Sequence, residues 1–191
     1  STTSCFEMAL SALLEIDIGP PSHGTMTEMP DAVYLPQQPK DTFFEELALS
    51  HLHCAGYYVE HHLICREDGQ EILELDALIS DLRFDPRSPK LVEAKSGKWG
   101  FADLFKLRGW LTFLGYDTAF LFVAAKAVGA KDAVFRKRAA DLSVRVIVVD
   151  SADSLSDDLE RELGKYSAGE PEIATWRFAY WMERQMLREL T

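Results

Sequence analysis

Three cysteines in 191 residues, Cys5, Cys54 and Cys65, are an odd count in a chain long enough not to need staples. That usage favours a reducing compartment, and the protein is expected to be cytoplasmic. Ser1 to Leu14 lack the basic start and small-residue cleavage site of a secretory signal. The chain begins at Ser rather than Met, so a processed chain or a piece of a longer one is expected. Long apolar runs are missing too. The longest, Thr118 to Ala130, holds Lys126 and falls short of the roughly 20 residues that cross a bilayer, so no membrane partner is expected. There is no internal repeat and no low-complexity tract. What remains is globular: 47% hydrophobic, 11% aromatic and 27% charged residues suit a packed core, and the length suits one domain rather than two.

Basic residues are outnumbered, 20 against 31 acids, for a net charge of −11. Spread evenly, that would argue against a polyanionic partner. From Lys90 to Arg138, however, ten Lys and Arg face four acids, a local +6, which leaves −17 for the rest. A basic middle between acidic ends can draw nucleic acid through its local potential, although a solvated lysine-rich face has the same composition.

Residues 1–40 combine an apolar stretch with helical spacing, Phe6 to Ile18, and an arm from Gly19 to Pro39 in which five prolines forbid a long helix. A helix is then predicted from Asp41 or Thr42 to Gly56, with Thr42 and Glu45 spaced as a capping box and Phe44, Leu47, Ala48, His51 and Leu52 on one face. Tyr57 to Cys65 and Glu71 to Ile79 have strand patterning around Asp68-Gly69, a strong hairpin signal. Lys90 to Lys95 is a third strand, Phe101 to Leu114 a helix closed by Gly115, and Ala119 to Ala124 a buried strand. Lys131 to Leu142 is a basic helix and Val144 to Val149 a further buried strand. The order is α-β-β-β-α-β-α-β. Residues 151–191 form an acidic helical extension: Ser156 to Lys165, capped by Ser156, and a last helix after Pro171 whose Trp176, Tyr180, Leu187 and Leu190 are expected to pack on the sheet, a dimer or partner surface being the alternative.

Two apolar strands carry acids where a strand ordinarily carries Val or Ile. In Ile72 to Ile79, Glu74 and Asp76 lie two apart and share a face; in Leu91-Val92-Glu93-Ala94-Lys95, Glu93 and Lys95 do the same. Carboxylates in an apolar strand need a cation beside them. Mg²⁺ takes such hard oxygen ligands, and a neighbouring lysine could orient or deprotonate a water or offset charge on a phosphate. Two solvent-facing, salt-bridged strands would show the same spacing. Lys106 and Arg108, on the following helix, are the expected extra phosphate contacts, with Lys98 beside them.

With those residues in view, the sequence resembles the PD-(D/E)XK nucleases of restriction-endonuclease-like fold. The resemblance covers roughly Asp41 to Asp150 and is carried by Glu45 on the first helix, Asp76 on the second strand and Glu93-Ala94-Lys95 on the third. It implies an α/β fold with a mixed central sheet flanked by helices, Mg²⁺ or Mn²⁺ held by Glu45, Asp76 and Glu93, and catalysis by Asp76, Glu93 and Lys95. Phosphodiester bonds of nucleic acid, DNA ahead of RNA, are the implied substrate. Glu46 is the alternative to Glu45, which has Leu49 and Leu52 on its side of the helix and so stands nearer the apolar face. Within the superfamily, Phe44-Glu45-Glu46, Glu74-Leu75-Asp76, Val92 to Gly97 and Arg138 to Ile147 look like segments of the nuclease domain of CRISPR-associated effectors switched on by cyclic oligoadenylate. Those antiviral effectors carry a sensor domain ahead of the nuclease, which 40 residues cannot hold. A regulatory domain or partner protein stays open, as does a homodimer, which would suit double-strand cuts. The competing class is a catalytically silent nuclease-fold module that binds nucleic acid or protein.

Other signals are weaker. His51, His53, Cys54, His61, His62 and Cys65 lie close together, but their spacing fits no zinc finger, so stacked or capping histidines are expected. Cys54 lacks an oriented base. Ser96-Gly97-Lys98 lacks the earlier glycines of a phosphate loop. Trp99 and Phe101 could stack on an unpaired base, or cover the sheet.

Overall fold

A computed structural model describes residues 35–36, 38–83, 88–127, 132–149, 157–164 and 169–190, with the side chains of Lys126 and Asp132 left aside. The apolar stretch Phe6 to Ile18, most of the proline-rich arm, Pro86, Lys131 and the expected cap Ser156 lie outside the described residues.

The first helix, α1 (Thr42–Cys54), forms where Phe44, Leu47, Ala48 and Leu52 recur at helical spacing, and all four are buried. The expected capping box is not formed. The cap is Asp41, the earlier of the two candidates, and its side chain makes no capping bond. Glu45 therefore lies past the capping position and its carboxylate is available elsewhere. Asp41, at φ 49°, donates its N–H to Ser96 Oγ at 2.9 Å. That bond ties the start of α1 to the residue after Lys95.

Strands β1 (Tyr58–Glu67) and β2 (Gln70–Ser80) pair antiparallel about Asp68 and Gly69, both at positive φ (50° and 78°), as a two-residue type I′ turn demands. β3 (Lys90–Lys95) pairs antiparallel with β2. Helix α2 (Phe101–Leu114) begins with the Gly100 N–H donating to the Asp103 carboxylate at 2.8 Å and ends at Gly115, φ 72°, the left-handed conformation that stops a helix cheaply at glycine. β4 (Ala119–Ala124) runs parallel to β3, and α3 (Asp132–Asp141) leads to β5 (Val144–Val149), parallel to β4. Two further helices follow, α4 (Asp157–Leu163) and α5 (Glu170–Leu190). The result is an α/β fold with an open, mixed five-stranded sheet in the order β1-β2-β3-β4-β5. Among the described residues no helix is long and apolar enough to cross a membrane.

The sheet is covered on both faces, and β4, at its parallel centre, is buried at every residue. On one face α2 presents Leu104, Leu107 and Leu111 to Leu91, Leu121, Val123 and Val144. On the other, Phe44, Leu47 and Leu52 of α1 meet Val92, Phe120, Phe122 and Ile147, joined by Leu159 of α4 and Ile173 and Tyr180 of α5. The last helix departs from expectation. It packs chiefly on α1, and its Leu187 and Leu190 stay 54% and 81% exposed rather than meeting the sheet. Its anchors include polar groups: the Arg184 guanidinium pairs with the buried Glu46 carboxylate through Nε and through a second bond of 3.2 Å, and lies over the Phe43 ring.

Along β2 the apolar side chains change sides. Leu73 and Leu75 join the core under α2, whereas Ala77 and Ile79 join the core under α1. The change falls at Asp76. Opposite it, between the pairs His61–Ala77 and Leu63–Leu75, His62 adopts φ 51°. The β2–β3 ladder also stops at Ala77–Val92, one residue short of Asp76 and Glu93. The strands part where the acids stand.

Candidate active site

That parting opens a cleft of about 540 Å³, lined among others by Glu45, Asp76, Glu93, Lys95 and Lys106. Each side chain comes from a different constraint. Glu45 is delivered by α1, Asp76 by the end of the β2–β3 ladder, and Glu93 and Lys95 by alternate positions of β3 on the α2 side of the sheet. Lys106 reaches over from α2. Glu74 also lines the cleft, as do Thr42, His62 and Trp110. Because the side chains of β2 change sides at Asp76, the expected regular alternation that would put Glu74 and Asp76 on one face does not hold there.

Glu93 is the most deeply placed charge, 1% exposed. Its Oε1 is 2.6 Å from Lys95 Nζ and 2.8 Å from Lys106 Nζ, while Oε2 is buried without a hydrogen-bond partner. Asp76 accepts the Ala94 N–H at 2.8 Å, a donor released by the end of the ladder. Four carboxylates, Glu45, Glu74, Asp76 and Glu93, thus share a cleft with two ammonium groups. Burial, and then the charge of Asp76, push the Glu45 carboxyl up from 4.5 to about 7, with Glu93 adding to the rise and Lys95 opposing it. Burial and the Glu93 charge likewise raise Asp76 above the ordinary carboxylate range, against the Ala94 N–H. For Lys95, burial works to lower the ammonium, but its hydrogen bond to Glu93 and the charges of Glu93, Asp76 and Asp103 outweigh it, so it is held above the ordinary lysine range. Negative charge in the cleft exceeds what two lysines neutralise.

Of the two adjacent acids on α1, Glu45 is the one in the cleft, but the apolar-face argument for it is corrected. Glu46 is the more buried, 3% exposed, on the side covered by Arg184 of α5. Lys98 and Arg108 are exposed and do not line the cleft: Lys98 lies in the β3–α2 connection, and Arg108, two residues from Lys106 on a helix, points some 200° away around its axis. Lys106 does line it, bonded to Glu93. His62 and Trp110 join it as residues that no motif singled out for the site, and Glu74, the other acid of the second strand, lines it too. Trp110 was recoverable as the residue one helical turn after Lys106.

The remaining signals are structural. His53 stacks on Trp176 with ring centroids 3.9 Å apart and hydrogen-bonds Tyr180 Oη at 2.7 Å, while His61 packs edge-on against Tyr180. Trp99 and Phe101 meet Phe135 of α3 edge-on. Among the described residues no three His, Cys, Asp or Glu side chains stand close enough together to hold a metal ion as placed. A separate cavity of about 400 Å³ beside β5 is lined by Arg136, Arg145 and Arg161, but Asp158 and Glu162 already engage these guanidinium groups. Its cations are committed within the fold. Neither a protein-family model nor a curated protein matches this chain.

Proposed function

We propose that the protein is a divalent-metal-dependent nuclease, with a restriction-endonuclease-like core, that hydrolyses phosphodiester bonds of nucleic acid. The single observation that carries this reading is one cleft lined together by Glu45, Asp76, Glu93 and Lys95. Mg²⁺ or Mn²⁺ matches the chemistry of the donor set, although as placed the three acids do not stand close enough together to hold an ion, so binding requires their side chains to converge. The oxygens are hard, Glu93 Oε2 is buried without a partner, and the raised carboxyls of Glu45 and Asp76 mark a place where added positive charge is stabilising. Glu45, Asp76 and Glu93 would hold the ion, which when bound polarises the phosphate and lowers the pKa of water.

The chain's own residues do the rest. Lys95, kept protonated by Glu93 and Asp76, donates hydrogen bonds instead of accepting a proton, so it orients the incoming water and offsets charge developing on the phosphoryl oxygens. Glu93 fixes the direction of that ammonium. The uneven charge along the chain supports the same reading, because the +6 segment from Lys90 to Arg138 includes the α2 side of the cleft, and cations there position a phosphate backbone. Incubation with circular single-stranded DNA, duplex DNA and RNA, each with Mn²⁺ or with chelator, tests the proposal. Cleavage of at least one substrate with Mn²⁺ and none with chelator is expected. No cleavage of any substrate, or cleavage indifferent to chelator, would overturn it.

A further inference from the structure

Glu93 is neutralised in an uneven way. Both ammonium groups crowd one oxygen, Lys95 Nζ at 2.6 Å and Lys106 Nζ at 2.8 Å from Oε1, and the other oxygen, equally buried, has no hydrogen-bond partner. A cluster shaped only for stability would spread its donors over both oxygens, since a buried acceptor left bare is costly. The two lysines are also held differently. Lys95 follows Glu93 by two residues on the same strand, so β3 itself directs it to that face. Lys106 comes from α2, its side chain is 40% exposed, and its ammonium lies 4.1 Å from the centroid of the Trp110 ring. An aromatic face at that distance stabilises the same charge alongside Glu93. Lys106 can give up its bond to Glu93 and keep a favourable contact.

We infer that Lys106 is an exchangeable counter-ion of the cleft, a positioning residue that neutralises Glu93 until a divalent cation takes that carboxylate, and that then gives up Glu93 while keeping its contact with Trp110. The inference rests on the metal-dependent reading above and adds a consequence which that reading does not contain. Lys106 competes with the ion for Glu93, so it sets the concentration of divalent cation at which the site fills. This role precedes, and does not replace, the phosphate contact expected of Lys106 from its place in the sequence. A residue that merely packed the site or held Glu93 in place would weaken ion binding when removed, whereas a competitor strengthens it.

Calorimetric titration of Mn²⁺ into the wild-type chain, Lys106→Met and Lys106→Gln distinguishes the two. Losing a competing charge-assisted hydrogen bond should tighten the Mn²⁺ Kd by about tenfold in Lys106→Met. Lys106→Gln keeps a neutral donor near Glu93, guards against misfolding of the methionine variant, and should tighten it in the same direction. Repeating the titration at about 0.5 M KCl separates contact exchange from long-range attraction, because screening removes the latter at that ionic strength. The gain should persist. An unchanged or weaker Kd in variants that melt cooperatively, or a gain that disappears at high salt, overturns the counter-ion role while leaving the metal site intact. Failure of Mn²⁺ to bind wild type and variants alike overturns the metal-dependent reading and this inference with it.

Discussion

Replacing Asp76 or Lys95 by alanine is expected to lower Mn²⁺-dependent cleavage by about a thousandfold or more while leaving a folded protein. The two changes act on different parts of the cleft. Asp76→Ala removes a carboxylate that burial and Glu93 already push toward protonation. Its loss relieves crowding against Glu93 and forfeits the bond from the Ala94 N–H and the screened attraction of Lys95 and Lys106, so the melting temperature should move by no more than about 5 °C. Lys95→Ala leaves Glu93 with Lys106 as partner, which preserves most of the local neutrality. It removes the ammonium that, in the proposed mechanism, faces the reacting phosphate. Turnover of a plasmid or oligonucleotide substrate, measured beside thermal melting of the same preparations, checks both. Undiminished cleavage in either folded variant contradicts the assignment.

The largest expected effect on stability lies away from the cleft. Arg184→Ala should destabilise the fold by about 2–4 kcal/mol, because it strips the partner from a carboxylate that is 3% exposed. It also removes the guanidinium from the Phe43 ring. For a domain of this size that is a fall in melting temperature of roughly 5–15 °C. The deficit should depend on pH with a definite sign. Burial raises the Glu46 carboxyl, with Arg184 as the main opposing influence. Without Arg184 the folded form holds its proton to higher pH still, so the variant's deficit is smallest near pH 5 and grows toward pH 8. A second change, Glu46→Gln, should recover much of the loss in the Arg184→Ala background. Equal deficits at both pH values would show that the ion pair is not what joins α5 to α1.

Much of the framework was legible because strong punctuation brackets it. β3, α2, β4 and β5 run between the residues the sequence indicates, with Pro89 before β3, Gly115 after α2 and continuous apolar runs in β4 and β5. The Asp68-Gly69 turn was equally plain. The details of the site were less so, for reasons that are long-range. A two-residue turn pairing Glu67 with Gln70 would by itself set His61 opposite Asp76. The irregularity between Cys65 and Arg66 shifts the register by one, so His62 stands there instead and lines the cleft. Helical spacing on α1 cannot show that Glu46 is covered, because its partner Arg184 lies 138 residues away. The proximity of Lys106 to the motif strand in sequence suggested a phosphate contact. Its bond to Glu93 depends on how α2 crosses β3, which no local pattern encodes. Of the two cap positions the sequence offers, Asp41 is the one used, and the failure of the Thr42–Glu45 capping box has the same origin, since the Asp41 N–H finds its acceptor on Ser96, 55 residues on.

The claim at the centre is that the acids of β2 and β3 share one divalent cation. Crystals soaked in Mn²⁺ and measured at an energy where manganese scatters anomalously test it most directly. The account predicts an anomalous peak in contact with the carboxylates of Asp76 and Glu93, lost in Asp76→Asn. Data from Mn²⁺ concentrations that saturate cleavage, showing no peak between these two side chains and Lys106 still bonded to Glu93, would contradict it.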